Sequence, residues 1–152
     1  MIYYKLFNLH TMNKEWEKVK LFHDKFGHPS SDRPAFIPKE RAKDRAKWLM
    51  EEIAEFLVAP DIYEQADAMI DLIYFALGTL VEMGIKPDEL FDIIQKANME
   101  KLGEDGKPIY NPKDGKIMKP QHWEDPAPKI KAYIDNLSPV SYTHLRAHET
   151  EL

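Results

Sequence analysis

The chain of 152 residues contains no cysteine. This absence excludes disulfide bonds, a zinc site built from thiolates and a cysteine nucleophile. Residues 1–10 lack the apolar run and the small-residue cleavage site of a signal peptide. No apolar run in the chain approaches the roughly 18 residues that a membrane span needs. We therefore expect a cytoplasmic protein with no membrane partner.

An excess of positive charge is absent as well, because the formal net charge is −5. This charge argues against long nucleic acids as partners, since they require a basic surface for their phosphates. It does not argue against small nucleotides, for which a bound divalent cation can supply the positive charge. The hydrophobic fraction of 43% and the charged fraction of 31% are typical of one globular domain.

The spacing of apolar residues predicts four main helices, at residues 13–26, 39–58, 62–83 and 87–102. Prolines and glycines separate them, and the short break at Pro60 favours an antiparallel hairpin of the second and third helices. The predicted fold is therefore all-α and resembles a four-helix bundle.

After the fourth helix the composition changes to glycine, proline and lysine. We expect residues 103–128 to form an irregular tail wrapped on the bundle, with a short hairpin near 113–115 and a last helix at 129–136. The expected domain spans residues 1–137. Residues 138–152 resemble the translated adapter of a sequencing library, so we expect them to be non-native and assign them no function.

Two of the predicted helices carry an acidic face. Glu51, Glu52 and Glu55 share one side of the second helix, opposite its apolar stripe. The apolar stripe consists of Ala42, Ala46, Leu49, Ile53, Phe56 and Leu57. On the third helix, an acidic face ends at Asp71, which is the only charged residue among residues 68–81. A carboxylate in such apolar surroundings requires a proton or a cation. The cation could be a metal ion or a basic side chain such as those of Arg41, Arg45 and Lys47.

An antiparallel hairpin could bring both acidic faces together. Their mutual repulsion would then require a cation between them, and oxygen ligands suit Mg²⁺, with Mn²⁺ possible. Such a metal binds phosphate oxygens, while a further carboxylate can take a proton from water. A solvated acidic face on the second helix is the alternative interpretation.

The motif EEIAE at residues 51–55, followed by an apolar helix with DLIYF and by ANMEKLGEDGKPI, is more specific. This combination resembles the MazG-like and phosphoribosyl-ATP pyrophosphohydrolase superfamily, over roughly residues 22–126. The resemblance implies a Mg²⁺-dependent nucleotide pyrophosphohydrolase that cleaves an NTP or dNTP to the monophosphate and pyrophosphate. It also implies a homodimer or homotetramer.

The same resemblance implies a set of metal ligands. Glu52 and Glu55 match the first ligand pair, and Asp71 matches the aspartate that closes the second pair. The family's second motif has glutamate where this chain has Ala68, and Asp67 can cover a similar face. This departure puts the number of bound metal ions in question.

Further residues are expected to act on water and substrate. Glu51 matches a leading glutamate that positions or deprotonates the attacking water. Asn98 and Lys101 match residues that contact phosphate or sugar, although a lysine there would also complement a helix dipole. Tyr74 follows Asp71 by one turn and could either stack on a base or belong to the core.

Two other functions remain open at this stage. The Ala68 departure is compatible with a catalytically weak or inactive module that binds nucleotides or partners. Another phosphoanhydride, such as a phosphoribosyl nucleotide or an alarmone, could also be the substrate. Metal binding tests the first alternative, and a substrate panel tests the second.

Overall fold

The computed structural model describes residues 11–137 and confirms the all-α prediction. It contains five helices: α1 (Met12–Phe26), α2 (Lys39–Val58), α3 (Ile62–Met83), α4 (Asp88–Met99) and α5 (Ala127–Leu137). The segment expected to be non-native, residues 138–152, lies outside the described residues. None of the described helices alone is long and apolar enough to cross a membrane. Among them, only α3 and α4 taken together have the length and composition of a span, and they are bent by 117° at their break.

The boundaries of α2 and α3 match the prediction, and local chemistry explains them. Pro38 precedes α2 and has a fixed φ that suits a helix start. The side chain of Asp61 accepts a hydrogen bond of 2.9 Å from the backbone nitrogen of Glu64, which caps α3. Gly84 ends α3 with a φ of 65°, and a Cβ there would collide with the carbonyl of Arg33.

The described chain divides into two compact units, residues 11–87 and 88–137. In the first unit, α3 packs against both α1 and α2. Its core contains Trp16, Val19, Leu77 and Val81. The organisation of residues 1–137 as one domain stays a prediction.

The inner face of α1 carries a histidine where a phenylalanine could also have stood, because helical spacing allows either Phe22 or His23 there. The structure buries the histidine, while Phe22 and Phe26 are exposed and stack on each other at 4.4 Å between ring centroids. The ring of His23 is held by its Nδ1, which lies 2.7 Å from the carbonyl oxygen of Pro29. The hydrogen bond compensates for burying a polar ring here.

The buried face of α2 is the polar one. Arg45 and Glu52 are buried between the helices, whereas Ile53, Phe56 and Leu57 of the apolar stripe are exposed. The interpretation of the acidic face as simply solvated is therefore wrong for Glu52. The polar face turns inward because α3 offers it charged and aromatic partners. Arg45 pairs with Glu82, and Trp48 lies against Phe75.

The second unit is built on α4 and the tail. Helix α4 ends at Met99, three residues before the predicted end. Helical spacing places Phe91 and Ile94 on its inner face, but both are exposed. The tail forms two tight turns, closed by bridges between Leu102 and Pro108 and between Tyr110 and Ile117; the second contains the predicted hairpin. Trp123 Nε1 donates to the carbonyl of Ala97 at 2.7 Å, which fastens the tail to α4.

Candidate active site

One stripe of α2 carries the side chains that face α3. Trp48, Glu52 and Glu55 follow each other at steps of four and three residues, so they lie on one side of the helix. Because α2 and α3 form a hairpin with a short turn, Trp48 meets Phe75 at 6.0 Å between ring centroids, and Glu52 faces Asp71. The interface between the helices therefore has an aromatic segment followed by an acidic one.

Glu52 lies at the centre of the acidic segment. Only 9% of the residue is exposed, and its Oε2 has no hydrogen-bond partner among residues 11–137. Burial raises the pKa of its carboxyl group, and the charges of Glu55, Asp71 and Asp67 raise this pKa further. The other three carboxylates predicted as ligands are thus close enough to repel that of Glu52.

An acidic cavity of about 330 Å³ opens between α2 and α3 at Glu55 and Asp67. Glu55, Val58, Glu64 and Asp67 line it. Glu64 was not among the predicted ligands, although its spacing of three residues from Asp67 placed it on the same helix face. Ala68, at the position where the resemblance predicts glutamate, is buried.

No ion pair within residues 11–137 neutralises Glu52, Glu55, Asp67 or Asp71, whereas Glu51 is exposed and lies 4.0 Å from Lys47 Nζ. Within the same residues, no three acidic or histidine side chains are arranged to hold a metal ion as they stand. The donor set fits a hard divalent cation in its chemistry, because all donors are carboxylate oxygens and one of them is buried without a partner.

The basic side chains considered as partners of Asp71 bind elsewhere. Arg41 Nε lies 2.7 Å from Glu82 Oε1, and Arg45 lies 3.1 Å from Glu82 Oε2. Both arginines therefore pair with Glu82 of α3, a carboxylate that was not among the predicted site residues. Asp71 lies near the carboxylate of Glu52 and is not paired with either arginine.

A second cavity, of about 250 Å³, lies at the aromatic segment. Its walls come from α1, α2, α3 and the loop after α1: Phe22, His23, His28, Arg45, Trp48, Tyr74 and Phe75. Tyr74 stands edge-on to Phe22 at 5.7 Å, and burial raises the pKa of its phenol. Tyr74 is thus a wall residue of this cavity rather than part of the core.

The two predicted phosphate or sugar contacts lie in the second unit. Lys101 Nζ donates to Asn98 Oδ1 at 2.9 Å, so these two side chains form a pair. Lys101 follows the last residue of α4 in a turn rather than ending the helix. Their role at the substrate depends on the family resemblance and stays a prediction.

Comparisons with known proteins identify the family to which the chain is similar. The family model described as phosphoribosyl-ATP pyrophosphohydrolase matches residues 19–98. A solved structure of a candidate NTP pyrophosphohydrolase from Exiguobacterium sp. 255-15 is 30% identical, covering 90% of this chain and 97% of that chain, with a TM-score of 0.46. No curated protein matches.

The match to this family model identifies the chain as a hydrolase that acts on phosphoanhydride bonds of nucleotides. The chain belongs to the phosphoribosyl-ATP pyrophosphohydrolase family, whose model covers more than half of it, including the acidic and aromatic segments of α2 and α3.

Proposed function

We propose that the protein hydrolyses a nucleoside triphosphate, NTP or dNTP, between its α- and β-phosphates in a Mg²⁺-dependent reaction. The products are the monophosphate and pyrophosphate. The observation that carries this proposal is the buried, unpartnered oxygen of Glu52 in a group of carboxylates without a basic partner among the described residues. Such a group is stabilised by a divalent cation, which the triphosphate also needs.

The proposed ligands of Mg²⁺ are Glu52, Glu55, Asp67 and Asp71, with Mn²⁺ as a possible substitute. Bound there, the metal supplies positive charge to the phosphate oxygens. Glu51 is exposed on the same turn of α2 and is proposed to take the proton of the attacking water. Asn98 and Lys101 are proposed to contact phosphate or sugar, with the lysine acting as a point charge.

The nucleobase is proposed to enter the aromatic cavity. On α2, Trp48 precedes Glu52 by one turn, and on α3, Tyr74 follows Asp71 by one turn. The volume of about 250 Å³ is below the roughly 300–1,000 Å³ of drug-sized ligand sites, which suits a base better than a whole nucleotide. Stacking on aromatic rings contributes about 1–3 kcal/mol per base, so Tyr74→Ala should raise KM more than it lowers kcat.

The deciding experiment measures pyrophosphate release from a panel of ribo- and deoxyribonucleoside triphosphates, with and without Mg²⁺. The variant Glu55→Gln should lose release, because it loses a proposed ligand. The matched control Glu40→Gln, on an exposed glutamate of the same helix, should keep it. Release that survives in Glu55→Gln would contradict the ligand assignment.

A folded protein that releases nothing from the whole panel would instead favour the nucleotide-binding module. Calorimetric titration with Mg²⁺ separates the remaining cases. Metal binding without turnover would indicate an untested phosphoanhydride, and no metal binding would indicate a module without the metal site.

A second candidate substrate is a phosphoribosyl nucleotide, because the matching family is described as phosphoribosyl-ATP pyrophosphohydrolase. Phosphoribosyl-ATP therefore belongs in the panel. A kcat/KM for this compound that exceeds every nucleoside triphosphate would replace the first proposal, while the carboxylate chemistry would stay the same.

Self-association is proposed through the exposed apolar residues of the α2–α3 hairpin. Ile53, Phe56 and Leu57 of α2 are exposed, as are Ile62 and Ile70 of α3. Exposed apolar patches of this kind usually mark an interface, and a second copy of this chain is the proposed partner. Light scattering should give a dimer or tetramer, and Leu57→Glu should weaken it.

A further inference from the structure

Arg45 is a buried cation, and all three nitrogens of its guanidinium group contact residues of α3. Only 4% of the residue is exposed. One terminal nitrogen lies 3.1 Å from Glu82 Oε2, Nε donates to Thr79 Oγ1 at 3.1 Å, and the other terminal nitrogen donates to the carbonyl of Phe75. A guanidinium removed from water is costly unless its donors are satisfied, as they are here.

Glu82 holds a second arginine in the same cluster. Its buried carboxylate accepts hydrogen bonds from Arg41 Nε at 2.7 Å and from an Arg41 terminal nitrogen at 3.2 Å. One carboxylate thus fixes two guanidinium groups of α2. The planar fork of arginine suits such a contact better than a lysine would.

Both guanidinium groups also lie against the indole of Trp48. The Cζ atoms of Arg41 and Arg45 are 5.0 and 5.2 Å from its centroid, within the range of a cation–π contact. Arg45 is in addition 5.7 Å from the ring of Phe75. Gly78 gives it room, because a Cβ there would lie only 2.5 Å from an Arg45 nitrogen.

We propose that Arg45, held by Glu82, is a positioning residue that orients Trp48 and Phe75 as one wall of the aromatic cavity. It touches both rings at once, so its displacement would release both. The inference rests on the proposed function in one respect, namely that this cavity takes the nucleobase. The orientation of the rings can be measured without any substrate.

The first test is the near-ultraviolet circular dichroism of Trp48, obtained as the difference between the unaltered protein and Trp48→Phe. Arg45→Lys keeps the charge but loses the fork that contacts both rings. We expect it to lose most of the Trp48 signal while the far-ultraviolet helix signal is unchanged. The control Arg33→Lys, at an exposed arginine, should keep both signals. An intact Trp48 signal in folded Arg45→Lys would overturn the inference.

If Arg45→Lys does not fold, Thr79→Val provides the same test. It removes one acceptor of Arg45 without changing any charge. A partial loss of the Trp48 signal is then expected, and an unchanged signal would count against the inference.

The second test uses turnover and isolates the route through Trp48. Arg45→Lys should raise KM for the preferred nucleotide about three- to tenfold, the range of one cation–π contact, with little change in kcat. In the Trp48→Leu background the same substitution should add a smaller rise, because only the part of its effect that passes through Phe75 remains. An undiminished rise there would overturn the inference. If the unaltered protein hydrolyses no nucleotide, the proposed function fails, and the spectroscopic test still decides on the positioning role.

Discussion

The two ends of the α2–α3 interface treat charge in opposite ways. At the end with Arg41 and Arg45, two cations share the buried carboxylate of Glu82. At the other end, Glu52 lies near three carboxylates, and one of its buried oxygens has no hydrogen-bond partner in the part of the chain that the structure describes. The same pair of helices thus carries a charge cluster that is satisfied and one that is not.

This difference separates a structural cluster from a binding cluster. The arginine end has its hydrogen bonds in place, so a ligand would gain little there and would have to break them. The carboxylate end is destabilised by repulsion, which the proposed divalent cation would relieve. We therefore expect removal of the Glu82 carboxylate at the arginine end to lower stability most, and removal of a proposed ligand at the carboxylate end to lower turnover most.

The largest expected effect on stability is that of Glu82→Ala. Removing the shared carboxylate leaves two guanidinium groups without compensation, and breaking a buried ion pair in this way costs about 3–5 kcal/mol. Urea unfolding measures it. The control Glu40→Ala removes an exposed pair with Lys43 and should cost under about 1 kcal/mol. Equal costs for the two variants would erase the contrast between a buried cluster and a surface pair.

Magnesium should produce the next largest effect, and only through the carboxylate end. At a Mg²⁺ concentration 100 times its dissociation constant, binding stabilises the native state by about 2.7 kcal/mol. Thermal unfolding with and without Mg²⁺ measures this gain. It should persist in Glu40→Gln and largely vanish in Glu55→Gln. A gain that Glu55→Gln retains in full would place the metal elsewhere.

Sequence alone predicted the helices of this interface well. Pro38, Asp61 and Gly84 are local signals, and the bounds of α2 and α3 agree with them. The sharing of one face by Glu52 and Glu55 also followed from helical periodicity. Their assignment as metal ligands stays a prediction.

The arginine cluster could not be predicted, because periodicity defines the faces of a helix but not which face is buried. Arg41 and Glu82 are 41 residues apart in the chain, and no local pattern joins them. The apolar stripe of α2 suggested that this stripe would be the buried face. In the structure it is exposed, with Leu57 80% exposed. Tertiary partners, here the residues of α3, overrode the composition of the helix.

A smaller effect is expected at Glu52 itself, and its sign is opposite to that of Glu82→Ala. Glu52→Gln removes a buried charge from a group of like charges, and it should stabilise the metal-free protein by about 0.5–2 kcal/mol, the usual gain from one favourable substitution. Turnover should fall at the same time. Urea unfolding in a metal-chelating buffer measures the gain, and a loss of stability would mean that repulsion at this end is already relieved.

The smallest effects concern pH, and the two ends should respond in opposite directions. Burial, together with the charge of Arg45, lowers the pKa of His23 below 6.5. His23 therefore binds a proton more readily in the unfolded chain than in the folded one. The stability that comes from its neutral ring is present above pH 6.5 and is lost as the pH falls towards the folded-state pKa. The pKa of Glu52 is raised above 4.5. In the metal-free protein, the stability that comes from its protonated form is therefore lost as the pH rises through the folded-state pKa.

Matched variants separate these two slopes. His23→Gln should flatten the decline of the free energy of unfolding below pH 6.5, and Glu52→Gln should flatten the opposite trend that begins above pH 4.5. Both are measured by urea unfolding across the pH range in metal-free buffer, with Glu40→Gln as the control for a surface charge. If His23→Gln leaves the decline unchanged, the buried imidazole does not oppose protonation. The arginine end would then owe its stability to the Glu82 cluster alone.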